Sequence, residues 1–267
     1  MVRHIRAMEL EDVPRPVVAV GNEYPDGHRH PAHKHARSQL LFAERGTMLV
    51  ETSDGAWIVP PYQAIWIPSG TTHSIAMLGR VETCSVYLDK TATAGMGEQC
   101  QVRSVSALMR QLLIEAVDVP PWYDPMDRNG KIISLLIDEI RAAPVMTLNL
   151  PFPGSPRLAA RCRQFVAHPT AQDTIDRWHQ ELGLSRRTFT RMFKRETGLT
   201  FNAWQRRACL MSALPRLLNG ERVTTIAFDL GYSSPAAFTM MFKQLIGSAP
   251  HFYRRDIARS GNILVGY

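Results

Sequence analysis

The spacing of apolar residues divides the chain into parts with different periods. Residues 17–89 contain short apolar segments separated by Gly, Pro, Asp and Ser at the intervals of strands and turns. The clearest of these segments are residues 39–43, 47–51, 56–59 and 64–67. Short strands in such a series are typical of an antiparallel barrel or jelly roll. The first part of the chain is therefore predicted to be a β-barrel.

A helical period replaces this pattern after residue 104. Apolar residues recur there at spacings of three and four, in one set comprising Val105, Leu108, Met109, Leu112 and Ala116 and a second comprising Ile133, Leu136, Ile137 and Ile140. These sets predict two amphipathic helices. Four prolines follow, at Pro144, Pro151, Pro153 and Pro156. They predict a stiff linker and a domain boundary near residue 150.

Beyond the linker, two segments follow one plan, in which an apolar helix, a glycine turn and a second helix succeed one another. The first segment contains Ile175, Trp178 and Leu182, then Gly183, then Ser185 as the cap of a helix that begins at Arg186. The second contains Ile226, Ala227 and Leu230, then Gly231, then a helix start at Ser233, Ser234 and Pro235. A sharp glycine turn between two helices is typical of a helix-turn-helix motif.

The residues inside these motifs carry a more specific signal. The run RTFTRMFK, residues 187–194, is followed by Glu196, Thr197 and Gly198. Further on come Ile226-Ala227, Gly231-Tyr232, Phe238, Phe242-Lys243, Gly247, Ala249-Pro250 and Tyr253-Arg254. Together these positions, over about residues 156–255, resemble the AraC family of transcription regulators. The resemblance implies a C-terminal all-α domain that binds two successive major-groove segments of a promoter or operator, and a regulator that responds to a small-molecule effector.

The charge distribution agrees with a nucleic-acid partner. The chain has a net charge of +7, yet residues 151–267 hold 17 Lys and Arg against 7 Asp and Glu, and residues 1–150 hold 14 against 17. Such asymmetry is typical of a DNA-binding module joined to a neutral or acidic one. A solvated basic surface would also explain a charge run alone. The helix-turn-helix pattern favours DNA.

In the first motif, helix geometry predicts which side chains meet DNA. Arg187, Thr190 and Arg191 are three and four residues apart, so they project from one face of the recognition helix and are predicted to contact bases. Arg191 is the predicted guanine contact. The predicted phosphate contacts of both motifs are Ser185, Arg186, Lys194, Arg195, Ser233 and Lys243.

The second recognition helix has a different predicted base-contacting face, made of Pro235, Ala236, Thr239 and Met240. This face has few polar groups, so it is expected to contact thymine methyl groups and to follow groove shape. The core positions predicted for the two motifs are Phe189, Met192, Phe193, Phe238 and Phe242.

Five of the nine histidines lie in the predicted barrel, at positions 28, 30, 33, 35 and 73. The sequence has His33-x-His35, then Gln39 and Gly46, and later Pro68-x-Gly70-x-x-His73, which resembles the cupin pattern. Alternate residues of a strand point to one side, so His33 and His35 are expected to share a face. His28 and His30 are predicted to be loop residues.

The cupin resemblance implies an effector or metal site made of His33, His35, Gln39 and His73. Metal-binding cupins commonly have a glutamate where this chain has Gln39, whose amide oxygen can coordinate but carries no negative charge. The final asparagine of the pattern is also replaced, by Met77. Two occupants remain open: a divalent metal ion, or an organic effector that hydrogen-bonds these side chains.

Other classes of protein find little support in the sequence. The four cysteines are far apart and form no C-x-x-C pair, which argues against a disulfide framework or a zinc ribbon. No apolar run approaches the ~20 residues of a membrane span, and residues 3–11 lack the apolar core of a signal peptide. A cytoplasmic protein with no membrane partner is expected.

The sequence therefore predicts an α+β protein with a cupin-like barrel at residues 1–95, amphipathic linker helices at 96–150 and an AraC-type DNA-binding domain at 151–267. A sequence-specific transcription regulator, not an enzyme, is the predicted function. Its predicted partners are double-stranded DNA and a small-molecule effector, with RNA polymerase and a second copy of the chain as further candidates. The linker helices would either pair subunits, as the family resemblance implies, or pack on their own barrel.

Two alternatives to this function remain. One is a metal-dependent cupin enzyme, such as an oxygenase or isomerase, with a basic helical appendage. The other is an architectural DNA-binding protein without an effector pocket.

Overall fold

The computed structural model describes residues 13–146, 148–253 and 255, and it divides into two compact units. The first comprises the chain up to Thr52 together with Trp57–Leu148, and the second comprises Ser53–Ala56 with the chain from Asn149 onward. The N-terminal residues considered for a signal peptide and the motif residue Arg254 lie outside the described residues.

The first unit is built on an antiparallel sheet. Its strands are β1 (Val17–Tyr24), β2 (Arg29–His33), β3 (Ser38–Glu51), β4 (Gly55–Val59), β5 (Gln63–Ile67), β6 (His73–Leu88), β7 (Gln101–Ser104) and β8 (Val145–Met146). They lie in the order β1-β6-β3-β5-β7-β8, with β2 also paired to β6 and β4 also paired to β3. The two long strands β3 and β6 pair from Ser38 opposite Leu88 to Glu51 opposite Ser74, and they carry the unit's core.

Strand β3 joins two segments that the sequence pattern separates. The register against β6 shifts between Ala43 and Thr47, where Gly46 adopts a φ of 75°. A Cβ at Gly46 would collide with the backbone carbonyl of Arg80, so only glycine fits here without displacing the neighbouring strand. The apparent turn residue is therefore an irregularity within a continuous strand.

Both predicted linker helices form, as α1 (Ala107–Asp118) and α2 (Arg128–Ala142). Their buried residues share one core with the sheet residues Val17, Leu40, Phe42 and Val86. The prediction that Leu108 lies in the apolar stripe is wrong, because its side chain is 50% exposed while Leu113 is fully buried. The buried face of α1 begins one residue later, at Met109. The helices thus pack on their own sheet.

The second unit is helical. It contains the short strand β9 (Asn149–Pro151) and the helices α3 (Pro156–Ala167), α4 (Ile175–Glu181), α5 (Arg186–Thr197), α6 (Phe201–Leu218), α7 (Val223–Asp229) and α8 (Pro235–Ile246). Helices α4 and α5 form the first helix-turn-helix, α7 and α8 form the second, and α6 connects them. The predicted starts of the recognition helices are confirmed, since Ser185 caps α5 and Ser234 caps α8 through side-chain hydrogen bonds.

The aromatic core of the first helix-turn-helix is larger than that of the second. Trp178 is fully buried, and its ring contacts five aromatic side chains, namely Phe165, Phe189, Phe193, Phe201 and Trp204. Phe238 in the second motif contacts only the rings of Tyr232 and Phe242 among the described residues. Met192 is not fully buried as predicted; it is half-buried and, together with Leu158 and Leu182, lines an open cleft of about 250 Å³.

The short segment before α4 connects the two helix-turn-helix motifs through non-covalent contacts, in addition to the covalent connection through α6. Ala171 donates its backbone N–H to the carbonyl of Leu230 at 2.7 Å. The side chain of Gln205, on α6, donates to the carbonyls of Thr170 and Asp173, both at 2.8 Å. We call residues 170–173 with these contacts the seam. A Cβ added to Gly231, whose φ is 76°, would collide with the side chain of Thr170, so the turn of the second motif lies directly against the seam.

Candidate DNA-binding surface and histidine site

The predicted base-contacting residues of α5 lie on the exposed side of the helix. Its buried residues are Phe189, Phe193 and Thr197, and Arg187, Thr190 and Arg191 are all exposed. The Thr190 hydroxyl donates to the carbonyl of Arg186 at 2.9 Å, which leaves its methyl group and an oxygen lone pair for an external partner. The exposed face of α5 is therefore dominated by guanidinium groups.

The cations of α5 fall into two classes. Arg187, Arg191 and Lys194 make no side-chain hydrogen bond or ion pair with any described residue. Arg186 is 3.3 Å from Asp176, and Arg195 is 3.1 Å from Glu196. The Arg186–Asp176 pair is exposed on both sides, and such pairs are worth only about 0–1 kcal/mol, so a phosphate group can replace that carboxylate at small cost. Three cations are thus ready to bind an anion, and two must first exchange partners.

A contact that the sequence did not predict anchors the last turn of α5. Ser155, the residue before α3, donates its backbone N–H and its hydroxyl to the Glu196 carboxylate at 3.0 and 2.8 Å. No spacing rule connects residues so far apart in the chain. The start of α3 and the end of the first recognition helix are thereby held together.

The exposed face of α8 is mainly apolar. Met240 is 63% exposed and Ala236 is exposed, whereas Pro235 and Thr239 are half-buried. Among the predicted phosphate contacts, Ser233 and Lys243 are exposed. The preceding helix adds another apolar group, since Phe228 is 59% exposed. Sequence reasoning did not single out Phe228.

In the first unit, three histidines meet. Strand register places His33 directly opposite His73, at the ends of β2 and β6. The expectation that His33 and His35 share a strand face is wrong, because β2 ends at His33 and His35 lies in the connection to β3. The connection nevertheless brings the three rings together, with centroids 4.4 Å apart for His33 and His73 and 5.2 Å apart for His35 and His73. One nitrogen from each ring lies within 4.8 Å of the others.

Backbone carbonyls fix the orientation of all three rings. Each Nδ1 faces a carbonyl oxygen, in the pairs His33 with Pro31 at 2.9 Å, His35 with Arg37 at 2.6 Å, and His73 with Thr71 at 2.9 Å. A carbonyl only accepts, so each Nδ1 carries the hydrogen, and the Nε2 of the neutral ring is left with a lone pair. Burial lowers the pKa of His73 to about 4, which keeps that ring neutral near pH 7.

Gln39 completes the site from β3. Its Oε1 is 3.1 Å from the Nε2 of His35, and its amide nitrogen donates to the Ser85 hydroxyl at 3.0 Å and the Tyr87 hydroxyl at 3.3 Å. Gln39 is buried and pairs with Tyr87 across the β3–β6 ladder. Ser85 and Tyr87 were missed at the sequence level because this pairing depends on non-local strand register.

The other two described histidines of the first unit, His28 and His30, extend the group of rings outward. The His30 ring is 6.2 Å from that of His33, the His28 ring is 4.8 Å from that of His30, and Tyr24 stacks on His28 at 4.9 Å. His30 lies within β2, so its prediction as a loop residue is wrong, whereas His28 precedes that strand. Neither belongs to the group of three that could share one ion.

In a comparison with known proteins, each of the two units matches the model of a protein family. The model of the AraC-like ligand binding domain matches residues 15–139, and that of a helix-turn-helix domain matches residues 178–256. The HTH-type transcriptional regulator NimR of Escherichia coli strain K12 is 31% identical over 225 residues, which cover 84% of this chain and 81% of that protein. The chain belongs to the AraC family of transcription regulators.

Two further similarities are weaker in sequence identity. The regulatory protein PocR of Salmonella typhimurium is 29% identical over 108 residues, or 40% of this chain and 36% of that protein. A crystal structure of ToxT from Vibrio cholerae aligns over 89% of this chain and 94% of its own, with 11% identity and a TM-score of 0.37.

The family assignment decides between the functions that the sequence left open. An AraC-type transcription regulator with a ligand-binding domain and a helix-turn-helix DNA-binding domain is favoured over the metal-dependent cupin enzyme. The predicted α+β architecture is likewise confirmed. Within the described residues, none of the helices combines the length and apolar character that a membrane span requires.

Proposed function

We propose that the protein regulates transcription by placing α5 and α8 in two successive major-groove segments, and that an effector bound at the histidine site changes this binding. The observation that carries the first part is the exposed face of α5, where Arg187, Arg191 and Lys194 have no partner among the described residues. Unpaired cations on the recognition helix of a helix-turn-helix are suited to the negative potential and acceptor groups of the groove.

On α5 the proposed roles differ by position. Arg187, Thr190 and Arg191 contact base edges, with Arg191 donating two hydrogen bonds to a guanine. A pair of that kind discriminates by about 1–3 kcal/mol. Lys194 binds a phosphate directly. Arg186 and Arg195, together with the hydroxyl of Ser185, bind phosphates after the two arginines leave Asp176 and Glu196.

On α8 the contacts are proposed to be apolar. Met240, Ala236, Thr239 and Pro235 lie against thymine methyl groups and follow groove shape, while Ser233 and Lys243 bind phosphates. The first motif then supplies most of the hydrogen-bonded base recognition. The second motif contributes shape complementarity to the groove.

The effector is proposed to bind at His33, His35, Gln39 and His73, which converge in the domain that matches the family's ligand-binding model. We further propose RNA polymerase as a partner of the DNA-bound protein, and pairing of two copies through the outer sides of α1 and α2. Leu108 and Leu135 support that pairing, since they remain 50% and 43% exposed. We propose no catalytic reaction.

Selection of binding sites from random DNA, followed by affinity measurements, tests the DNA-contact assignments. Arg191→Ala is expected to broaden the selected sequence, because it removes a base contact, whereas Lys194→Ala is expected to weaken binding to all sequences alike. Lys90→Ala, which removes an exposed cation of the first unit outside α1 and α2, is the control and should leave both properties unchanged. If Arg191→Ala and Lys194→Ala behave identically, the division into base and phosphate contacts is wrong.

A further inference from the structure

We propose that Arg206, on the connecting helix α6, binds a phosphate of the DNA that lies between the two major-groove contacts, and that Asn202 donates to the same stretch of backbone. The proposal rests on the proposed function, because it adds a third contact to the same DNA complex. Its failure can be distinguished from failure of that function, since α5 and α8 would still bind without it.

A cleft between the two helix-turn-helix motifs is the first argument. Its volume is about 490 Å³, and it is lined by the start of α4, by Arg186 at the start of α5, by Asn202 and Arg206 on α6, and by Tyr232, which lies just before α8. Ala171, in the seam, also lines it. The cleft therefore lies between the N-terminal ends of the two recognition helices.

The position of the cleft relative to DNA is the second argument. In a helix-turn-helix, the N-terminal residues of the recognition helix reach the base edges, and the preceding helix crosses the sugar-phosphate backbone. The starts of α4 and α5 both border the cleft. When α5 and α8 occupy successive major-groove segments, the minor groove and the two backbones that border it lie between them. The cleft is therefore expected to face these phosphates.

The charges in the cleft are the third argument. The side chain of Asp173 is 5% exposed and pairs with Arg161 at 2.9 Å, and Asp176 pairs with Arg186 at 3.3 Å. Both acidic side chains of the cleft thus have a cationic partner. Arg206 is exposed and makes no side-chain hydrogen bond or ion pair with any described residue. The cleft consequently presents an uncompensated positive charge.

The rigidity of α6 at this point is the fourth argument. Trp204 is fully buried and donates its indole N–H to the carbonyl of Pro151 at 2.8 Å, and Gln205 is buried and donates to the seam. Arg206 directly follows these two residues, and Asn202 lies four residues before it on the same helix face. A side chain that projects from a fixed backbone has less conformational freedom to lose on binding.

The chemistry of the two side chains favours phosphate. Arginine presents its N–H donors in a planar fork that matches two phosphate oxygens, and the amide of asparagine also donates to phosphates. Such contacts fix the register of a protein on DNA and carry no sequence information. Arg206 is therefore expected to position the DNA between the motifs without selecting its sequence.

Salt-dependent affinity of the full-length chain for an operator selected from random DNA tests the proposal. Arg206→Ala is expected to weaken binding about tenfold for all sequences alike, because a charge-assisted hydrogen bond is lost. The slope of log affinity against log salt concentration should become shallower by about 1. Arg206→Lys keeps the charge and should retain the wild-type slope.

Two further variants control for net charge and for the neutral contact. Arg157→Ala removes an exposed arginine of the same unit from α3, outside the cleft, and should change neither affinity nor slope. Asn202→Ala should weaken binding by less than about fivefold and leave the slope unchanged, because the amide is neutral. An equal loss in Arg157→Ala would indicate a general effect of net charge and contradict a specific phosphate contact.

Replacement of single phosphates by neutral methylphosphonates locates the contact. The wild type is expected to lose affinity at one position between the two major-groove segments. Arg206→Ala should show no further loss at that position and should keep the losses at the phosphates bound by α5 and α8. If the two losses add at every position between the segments, the proposal is overturned.

Comparison with Lys194→Ala separates the proposal from the function on which it rests. If Arg206→Ala keeps the wild-type affinity while Lys194→Ala weakens binding, the proposed function stands and the phosphate contact is wrong. If Arg206→Ala changes the preferred bases between the segments, the side chain enters the minor groove, and the phosphate contact is again wrong. Full DNA affinity in both variants would contradict the proposal and the proposed function together.

Discussion

The two helix-turn-helix motifs share one backbone plan, but their recognition helices expose opposite side-chain chemistry. Both recognition helices begin at a capping serine and end at a glycine with positive φ. The exposed face of α5 carries Arg187 and Arg191, whereas that of α8 carries Met240. A common scaffold therefore fixes where the helix lies, and a few outward-facing side chains decide what it recognises.

The same contrast extends to the cores and the caps. Trp178 joins a network of five other rings in the first motif, and Phe238 joins two in the second. Helix α4 is capped by the hydroxyl of Thr174, while Arg222 stands at the cap of α7 without a side-chain hydrogen bond. The first motif is expected to be the more stable and the more selective of the two.

The largest expected effect concerns the cores. Trp178→Ala should lower the free energy of unfolding by about 4–5 kcal/mol, because it leaves a cavity among five rings, and Phe238→Ala by about 3 kcal/mol. Denaturant unfolding of the full-length variants measures both. A larger loss for Phe238→Ala would reverse the proposed order of stability.

The next effect concerns base recognition. Arg191→Ala should lower affinity for the preferred operator about 10- to 100-fold, since a bidentate arginine–guanine contact is worth about 1–3 kcal/mol. Met240→Ala should cost less than about fivefold, because burial of about one CH₂ against a thymine methyl group contributes about 0.8 kcal/mol, or about fourfold. Met126→Ala, 83% exposed in the first unit, is the control. Equal losses at positions 191 and 240 would mean that the motifs contribute equally to specificity.

Substitutions at the N-caps of α4 and α7 are expected to change stability by smaller amounts and in opposite directions. Thr174→Ala should destabilise the protein by about 1 kcal/mol, and Arg222→Ser should stabilise it by about 0.5–1 kcal/mol, since the extended backbone of Arg222 is that of a normal N-cap. Thermal unfolding of the two variants beside the wild type checks the signs. If Arg222→Ser is neutral or harmful, the missing cap does not weaken the second motif.

The smallest effect concerns the paired cations of α5. Asp176→Asn should release Arg186 and raise operator affinity about two- to fourfold, with a steeper dependence on salt. Asp138→Asn, which breaks an exposed ion pair of α2, is the control and should change neither. An unaltered salt dependence in Asp176→Asn would show that Arg186 does not reach a phosphate.

Sequence reasoning succeeded best where structure is local. The starts of α5 and α8 follow from Ser185 and Ser234, because capping depends on neighbours a few residues away. The contrast between the exposed faces of the recognition helices also follows from spacing alone.

Contacts between residues that are distant in the chain were not predicted from the sequence. Arg186 and Arg195 are predicted as phosphate contacts, and their carboxylate partners Asp176 and Glu196 were not foreseen. The anchoring of Glu196 by Ser155 likewise spans 41 residues. The histidine site was implied by the cupin resemblance, but its geometry depends on the β2–β6 register and on a connection outside any strand. The burial of Leu113 in place of Leu108 likewise depends on how α1 is oriented on the sheet. The periodicity of apolar residues does not specify that orientation.

The seam has a consequence for locating operators. Residues 170–173 bind both Gln205 and the turn of the second motif. We therefore expect the distance and orientation between the recognition helices α5 and α8 to stay constant. Inserting one base pair between the two contacted DNA segments rotates one segment relative to the other by about 34°. Two recognition helices held in a constant orientation cannot follow this rotation. Genuine target sites should therefore share an invariant spacing, and a genome can be searched with a single ungapped pattern.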